Sequence, residues 1–411
     1  MKRIIFKQED LSNLPSPEAG YLTIGVSENG GLSTISSDGT ISAVGSGGGA
    51  PSLDPSNTIS GFNNELSGGY NNTIGGTYST ISGGYNNEIA GDNQTISGGY
   101  SNYSDISINS TISGGYKNTT YNGGNLTISG GYSNYIENGM NLSIGGGHKN
   151  TAHGGSNFTI SGGYNNWTDN GSAFVIGGGN QNTITAGGNI TISGGYKNYA
   201  DSGANSIGGG QFNTLMQGGG LTISGGYHNF ADNGYNTISG GYCNTSRGAY
   251  NSISGGCGNK IDSGAYNSMS GSGNSLSSSY TSTISGYCNG MTSSGRSSIS
   301  GAYNGIDNSY ESTILGGREN TISGAHGAWS LKSSIGGGMQ NTITSSCYST
   351  IVGGAYNEIT GFTSSFVIGS NITADRDNTT FVENLTITSL PTSAPTQPGA
   401  IWNDNGTLKI V

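Results

Sequence analysis

The sequence predicts an all-β protein whose main part is a parallel β-solenoid, or β-roll, with coils of about 16 residues. Three observations predict it: the recurring string Thr-Ile-Ser-Gly-Gly-Tyr-x-Asn, the nearly constant spacing of its copies, and a composition unsuited to helices. Glycine accounts for 78 of the 411 residues, and each glycine inside a helix costs about 1 kcal/mol relative to alanine. A fixed period of this length is typical of solenoids, in which each short unit is stable only when stacked on its neighbours.

The period is defined by one apolar residue per repeat, here called the anchor. Nineteen anchors lie between Ile81 and Ile368, and nearly all successive anchors are 15 or 16 residues apart. Ahead of the first anchor, apolar residues recur at about half this period, at Ile59, Leu66 and Ile74. This half-period indicates that each coil contains two similar half-turns.

Each repeat is interpreted as strand, corner, weaker strand and corner. Thr-Ile-Ser alternates polar and apolar residues, as a short half-buried strand does. The glycine pair that follows, as at Gly83 and Gly84, permits a tight corner and a close backbone approach. An asparagine recurs six residues after the anchor, as at Asn87. We expect it to mark a repeated corner, because asparagine tolerates left-handed turns and can bond its neighbours' backbone.

The anchors are the predicted core. Because each coil offers one dependable large apolar side chain, a single column of anchors would leave a thin core that cannot offset the entropy of ordering the chain. We therefore expect several chains to associate so that their anchors face a shared interior. The residues predicted to form this core column are Ile96, Ile112, Ile128, Ile144, Ile160, Ile176, Ile192 and Ile223.

The repeats between about residues 57 and 370 resemble the left-handed parallel β-roll heads of trimeric autotransporter adhesins. Both combine a short strand, a glycine corner and a second short strand, although the present repeat is slightly longer and richer in tyrosine and asparagine. The resemblance implies a homotrimer, either intertwined or with three chains side by side.

The two flanks resemble virion proteins. Residues 14–44 are similar to the short β-hairpin modules that open many phage and algal-virus structural proteins. Residues 384–411 are similar to the closing hairpin of many phage fibre and head-decoration proteins, and Asn405-Gly406 independently predicts a two-residue hairpin turn.

We accordingly expect three parts. Residues 1–50 would form a β module and a glycine-rich linker that attach to other virion proteins, residues 51–370 the repetitive shaft, and residues 371–411 a hairpin cap. The 21-residue step from Ile314 to Ile335 is the longest between anchors. Extra residues in a solenoid leave as loops on one face, so His326 and Trp329 are predicted to lie in a protruding loop.

Enzyme signatures are sparse, and we expect no catalytic, cofactor or metal site. Four acidic residues recur loosely and are interpreted as a solvated corner rather than a pair of catalytic carboxylates: Asp169, Asp201, Asp232 and Asp262. Calcium-binding β-rolls need aspartate at positions that asparagine holds here. The four cysteines are dispersed and are interpreted as small packing residues: Cys243, Cys257, Cys288 and Cys347.

Two partner classes are excluded by composition and charge. No stretch approaches the roughly 18 apolar residues of a membrane-spanning helix, so we expect no membrane insertion. The net charge of −10 leaves no basic surface of the kind that binds nucleic acid.

Tyrosine four residues after the anchor is the most informative side chain. Stacked one per coil, these rings would form an aromatic column that either stiffens the solenoid or contacts sugars. The candidate glycan-contact column consists of Tyr100, Tyr116, Tyr132, Tyr164, Tyr196 and Tyr227. The Thr-x-Ser face beside the anchors resembles ice-binding proteins, but serine replaces threonine along one side of it.

Together these features favour a non-enzymatic fibre protein of a virion, in particular of a phage. We expect it to lie on the virion surface and to attach to host-surface carbohydrate. The alternative is an extracellular adhesin or filament subunit on the surface of a cell. A polysaccharide depolymerase and an ice-binding protein are the further alternatives.

Overall fold

A computed structural model describes residues 54–324 and 330–411, together with the backbone of three strands closer to the N-terminus. Those strands, Thr23–Val26, Leu32–Ile35 and Ile41–Ala43, form an antiparallel sheet in chain order. The rest of the expected module at 1–50 lies outside the described residues, as do His326 and Trp329 of the predicted protruding loop.

The chain divides into two compact units, residues 1–135 and 136–411. In each, the described residues confirm an all-β parallel solenoid with coils of about 16 residues, because every coil adds one short strand to each of two parallel sheets. We call these the anchor sheet and the second sheet. The described residues contain no helix, and hence no helix that could span a membrane.

In the first unit, both sheets begin with the closely spaced apolar residues. The anchor sheet consists of Glu65–Leu66, Thr80–Ile81, Thr95–Ile96, Thr111–Ile112 and Thr127–Ile128. The second sheet consists of Thr58–Ile59, Thr73–Ile74, Glu88–Ile89, Tyr103–Asp105 and Thr119–Gly124. Ile59 pairs with Ile74, and Leu66 pairs with Ile81, so the prediction of two half-turns per coil is confirmed.

The second unit repeats this pattern. Its anchor sheet consists of Ser143–Ile144, Thr159–Ile160, Val175–Ile176, Thr191–Ile192, Ser206–Ile207, Thr222–Ile223, Thr237–Ile238, Ser252–Ile253, Ser268–Met269, Thr283–Ile284, Ser298–Ile299, Thr313–Ile314, Ser334–Ile335, Thr350–Ile351, Phe366–Ile368 and Thr380–Val382. Its second sheet consists of Tyr135–Met140, Thr151–His153, Trp167–Ser172, Thr183–Gly188, Tyr199–Asp201, Thr214–Leu215, Phe230–Asp232, Thr245–Ala249, Lys260–Ala265, Ser275–Tyr280, Gly290–Thr292, Gly305–Asp307, Thr321–Ser323, Thr342–Thr344 and Glu358–Thr360.

Two further strand pairs complete the second unit. Ser309–Tyr310 pairs in parallel with Ser330–Leu331. Ile401–Asp404 and Thr407–Ile410 form an antiparallel hairpin. Its turn residues Asn405 and Gly406 have φ angles of 48° and 94°, as the Asn-Gly pair predicts.

The long step between anchors does not disturb the stacking. Ile314 pairs directly with Ile335, and the backbone N–H of Asn341 donates to Asn320 Oδ1 at 3.0 Å across the same step. The register of the strands is therefore kept across the long step.

The core lies inside a single chain. All eight isoleucines of the predicted core column are fully buried by the protein's own coils. The second sheet contributes a second column of inward side chains, and the residue before many anchor strands contributes a third, including Phe158 and Phe174, whose rings stack at 4.5 Å. The anchors therefore need no shared interior between chains, contrary to the sequence-based expectation.

The recurring asparagine lies at a corner and bonds neighbouring backbone groups, as expected, but it is buried and not left-handed. Asn166 is fully buried, while the residue before it, Asn165, takes the positive φ of 53°. Asn166 Nδ2 donates to the carbonyl oxygens of Gly162 and Gly179, at 2.9 and 3.1 Å. Its Oδ1 accepts the backbone N–H of Asn182 in the next coil at 3.0 Å. The asparagine column thus replaces peptide hydrogen bonds that a tight corner leaves unmade.

The two glycines of each corner have different roles, which Gly162 and Gly163 illustrate. A Cβ atom on Gly163, whose φ is 91°, would lie against the backbone carbonyl oxygen of Gly179 and 2.7 Å from Asn166 Nδ2. At Gly162, with φ of 159°, the nearest atoms to such a Cβ belong to Gly146 at 4.0 Å. Only the second glycine is required by the contact between coils.

We expect Gly163→Ala to destabilise the protein by about 3 kcal/mol, because the backbone of the neighbouring coil must move and the left-handed conformation is strained. Gly162→Ala should cost less than half as much. Urea unfolding followed by circular dichroism measures both values. Equal losses for the two variants would contradict the assigned contact.

Candidate functional site

The tyrosine column of the first unit is continuous. Five rings follow one another with centroid separations of 4.9–5.5 Å and interplanar angles of 10–16°. They belong to Tyr70, Tyr85, Tyr100, Tyr116 and Tyr132. Nearly parallel rings at this separation are offset-stacked, so each ring covers part of its neighbour's face and presents its edge and hydroxyl outward.

In the second unit the same column is interrupted. Asn180 stands between Tyr164 and Tyr196, and Gln211 between Tyr196 and Tyr227. The three predicted glycan-contact tyrosines of the first unit thus form one stack, whereas the three of the second unit are separated by amide side chains.

Polar groups border the continuous stack. Lys117 Nζ lies 5.1 Å from the centroid of the Tyr116 ring, and hydrogen bonding to Tyr116 raises the pKa of Lys117. Asn71 Nδ2 donates to Asn86 Oδ1 at 2.6 Å along the adjoining corner. The surface therefore combines ring edges, hydroxyls, amides and one ammonium group.

A second aromatic arrangement lies on the outward face of the second sheet in the second unit. Alternate coils place an aromatic residue and, two positions later, a carboxylate on this face. We call the set the aromatic–acid face: Trp167, Asp169, Tyr199, Asp201, Phe230 and Asp232. The residues between each pair, Thr168, Ala200 and Ala231, are fully buried, which is the alternation expected of a strand.

The intervening coils carry threonine at the aromatic position. Trp167 pairs with Thr183, which pairs with Tyr199; Thr214 separates Tyr199 from Phe230. Sequence analysis missed this surface, because its period is two coils rather than one. The signal is an Asn-aromatic-x-acid string repeated at intervals of 31 or 32 residues, in which the aspartates were interpreted without their aromatic neighbours.

One end of the aromatic–acid face carries a histidine between two carboxylates. His153 Nδ1 lies 2.6 Å from Asp169 Oδ1, and its Nε2 lies 3.9 Å from Glu137 Oε2. The three side chains are 22–36% exposed. His153 thus contacts acidic neighbours on the two adjacent coils.

In the middle of the face, Asp201 Oδ1 accepts a long hydrogen bond of 3.5 Å from the hydroxyl of Ser202. The Tyr199 hydroxyl lies 2.8 Å from Thr185 Oγ1, so it is directed to the preceding coil rather than to Asp201. Asp232 Oδ1 is buried and, among the described residues, has no hydrogen-bond partner.

Beyond Asp232 the charges compensate one another. The guanidinium carbon of Arg247 lies 5.1 Å from the centroid of the Phe230 ring. Arg247 and Lys260 each approach a carboxylate oxygen of Asp262 to 3.0 Å. Hydrogen bonds from Lys260 and Arg247 lower the pKa of Asp262.

In the first unit, the corresponding aromatic and acidic residues, Tyr103 and Asp105, are hydrogen-bonded to each other. The Tyr103 hydroxyl donates to Asp105 Oδ2 at 2.7 Å. Burial, followed by this hydrogen bond, raises the pKa of Tyr103 above its ordinary range. This aromatic–acid pair therefore satisfies its own carboxylate, unlike Tyr199 and Asp201.

The cysteines form no disulfide, and two of them do not pack as the sequence suggested. Cys243 and Cys257 are exposed, and Cys288 and Cys347 are partly buried. Within the described part of the chain, no group of three or more His, Cys, Asp or Glu side chains is arranged to hold a metal ion.

The described coils define the class of protein as a parallel β-solenoid that presents regular columns of aromatic, amide and acidic side chains. No model of a known protein family matches the chain, and no curated protein matches it significantly.

Proposed function

We propose that the chain is a structural, non-enzymatic fibre protein of a virus particle, with an attachment surface for host carbohydrate. The observation that supports this most is the coil-by-coil repetition of outward side chains on a fold whose core is closed within one chain. Such a scaffold presents many equivalent contacts, and several weak contacts made together raise the apparent affinity without any single strong site.

The tyrosine column of the first unit is the proposed contact surface for sugars. Its hydroxyls and ring edges, with Lys117 and the corner amide of Asn86, suit the hydroxyl groups of a glycan. The offset stacking favours contact along the edge of the column over insertion of a sugar between rings.

We expect the double substitution Tyr100→Gln and Tyr116→Gln to weaken glycan binding by about tenfold, the loss expected for two aromatic contacts of modest strength. Glutamine already occupies this column at Gln211, so the coil itself should be preserved. Binding of the full chain to a panel of immobilised glycans and to host cells measures the effect, and the melting temperature checks the fold. Unchanged binding by the folded variant would contradict the proposed surface.

The proposed location is the virion surface, with residues 1–50 contacting other virion proteins. Gold-labelled antibodies raised against the purified chain should mark the fibres of intact particles in electron micrographs. Labelling of cell-surface filaments with unlabelled particles would instead support the alternative, an adhesin or filament subunit of a cell.

The homotrimer stays a prediction. Because the anchors are buried within one chain, association would have to use exposed surfaces rather than the isoleucine column. Native mass spectrometry should give three times the chain mass of 41.6 kDa, and a mass of one chain would contradict it.

A further inference from the structure

We propose that the aromatic–acid face of the second unit binds an extended, amine-bearing polysaccharide of β-1,4-linked sugars. This site is separate from the tyrosine column and does not depend on it, nor on a virion location. The argument rests on the period, the exposure and the charge of the face.

The period matches a disaccharide. Adjacent strands of a sheet are about 4.8 Å apart, so side chains on alternate coils recur every 9.6 Å or so. In an extended β-1,4-linked polymer each sugar is turned over relative to the last, so the same ring face and the same substituent return on every second sugar. Two such sugars have nearly the length of two coils.

The aromatic rings of this face are not stacked on one another, unlike the tyrosine rings of the first unit. Threonine at the intervening positions, Thr183 and Thr214, keeps Trp167, Tyr199 and Phe230 two coils apart. Rings so far apart cannot cover one another's faces, and Trp167 remains 42% exposed. Trp167 and Tyr199 can therefore accept the apolar face of a sugar, whereas Arg247 already lies over the Phe230 ring.

The charge of the face selects a cation. Glu137, Asp169, Asp201 and Asp232 bring four carboxylates, whereas His153 adds a positive charge only when it is protonated. The protein's own Arg247 lies over the Phe230 ring, as an ammonium group of a ligand could lie over the neighbouring rings. His153 already contacts Asp169 and Glu137. A neutral polysaccharide would add no cation for Asp201 and Asp232, whereas a glucosamine polymer supplies an ammonium group on every sugar.

The test is isothermal titration of the full chain with a hexasaccharide of glucosamine, at a pH that keeps the sugar amines protonated. The N-acetylated hexasaccharide and a lysine hexapeptide serve as comparison ligands. We expect the glucosamine hexamer to bind and the N-acetylated hexamer to bind at least about tenfold more weakly, because its amides lose the ion pairs and the cation–π contacts. Binding of the glucosamine hexamer should also weaken as salt screens the carboxylates.

Two variants separate the aromatic from the acidic contribution. The double substitution Trp167→Thr with Tyr199→Thr introduces the residue that alternate coils already carry, and Asp201→Thr introduces the residue found one coil earlier at Thr185. Each variant should weaken binding of the glucosamine hexamer by about tenfold at unchanged melting temperature.

Val175→Thr, on the outward face of the anchor sheet, is the matched control, because it introduces the threonine that both neighbouring coils carry; it should bind the glucosamine hexamer as the unaltered chain does. If Tyr100→Gln with Tyr116→Gln leaves cell binding intact, the proposed attachment surface fails while this inference stands. The inference is overturned if the unaltered chain binds no glucosamine hexamer or does not discriminate against the N-acetylated one. It is also overturned if the lysine peptide binds equally well and the aromatic variant has no effect, because the face would then attract any cation.

Discussion

Replacing Ile160 with aspartate will disrupt the coils around it and abolish cooperative melting of the second unit. Ile160 is fully buried and pairs with Ile144 on one side and Ile176 on the other. Removing a large buried aliphatic side chain costs about 2–5 kcal/mol, and an unpaired carboxylate in its place adds several more. The total is comparable with the roughly 5–15 kcal/mol that stabilises an ordinary domain.

Ser161→Asp is the matched control, because Ser161 directly follows the strand Thr159–Ile160 and is exposed. It adds the same charge outside the core, so its free energy of unfolding should change by no more than about 0.5 kcal/mol. Thermal and urea unfolding followed by circular dichroism compare the two. Similar stability of the Ile160→Asp and Ser161→Asp proteins would show that the anchors do not form the core.

The solenoid itself could be predicted from the sequence because large apolar side chains recur once per coil. Ile59, Leu66 and Ile74 even give the half-turn, since both sheets carry an apolar residue at the start of the first unit. Alternation of Thr, Ile and Ser then fixes which side chain points inward, as a strand requires.

The closed single-chain core could not be predicted in the same way. Its third column is apolar only in some coils, as at Leu142 and Phe158, and polar in others, as at Ser282 and Ser297. A position that is apolar in some coils and polar in others, in no regular order, gives no periodic signal. Counting one dependable core residue per coil consequently overestimated the need for partner chains.

Whether each proposed surface could be predicted from the sequence depended on the period at which its residues recur. The tyrosines of the column recur once per coil, so the column could be predicted. Asn180 and Gln211 interrupt it in the second unit, and the long stack therefore lies in the first unit. The aromatic–acid face recurs once per two coils. Its aspartates were noticed, but their pairing with Trp167 and Tyr199 follows only from the shared outward face of the second sheet.

The asparagine column shows why position alone did not reveal function. Asparagine suits a left-handed corner, which is why the sequence suggested that role. The structure gives the left-handed conformation to the preceding residue, which can be Lys149, Phe212 or His228. Because those residues have no common preference for this conformation, the sequence gives no sign that the asparagine beside them is a buried cap.

Asn166→Ala should consequently destabilise the second unit by about 3–5 kcal/mol, since it removes one buried and two partly buried hydrogen bonds and leaves the backbone N–H of Asn182 without its acceptor. Asn165→Gly is the matched control: Asn165 has a left-handed φ, glycine adopts that conformation readily, and the change should be worth less than about 1 kcal/mol. Urea unfolding gives both values, and hydrogen exchange adds a local reading, because the amide of Asn182 should exchange faster in Asn166→Ala than in Asn165→Gly. If the two variants lose equal stability, or if the amide of Asn182 stays equally protected in both, the corners are held by backbone contacts alone and the asparagine column has no stabilising role.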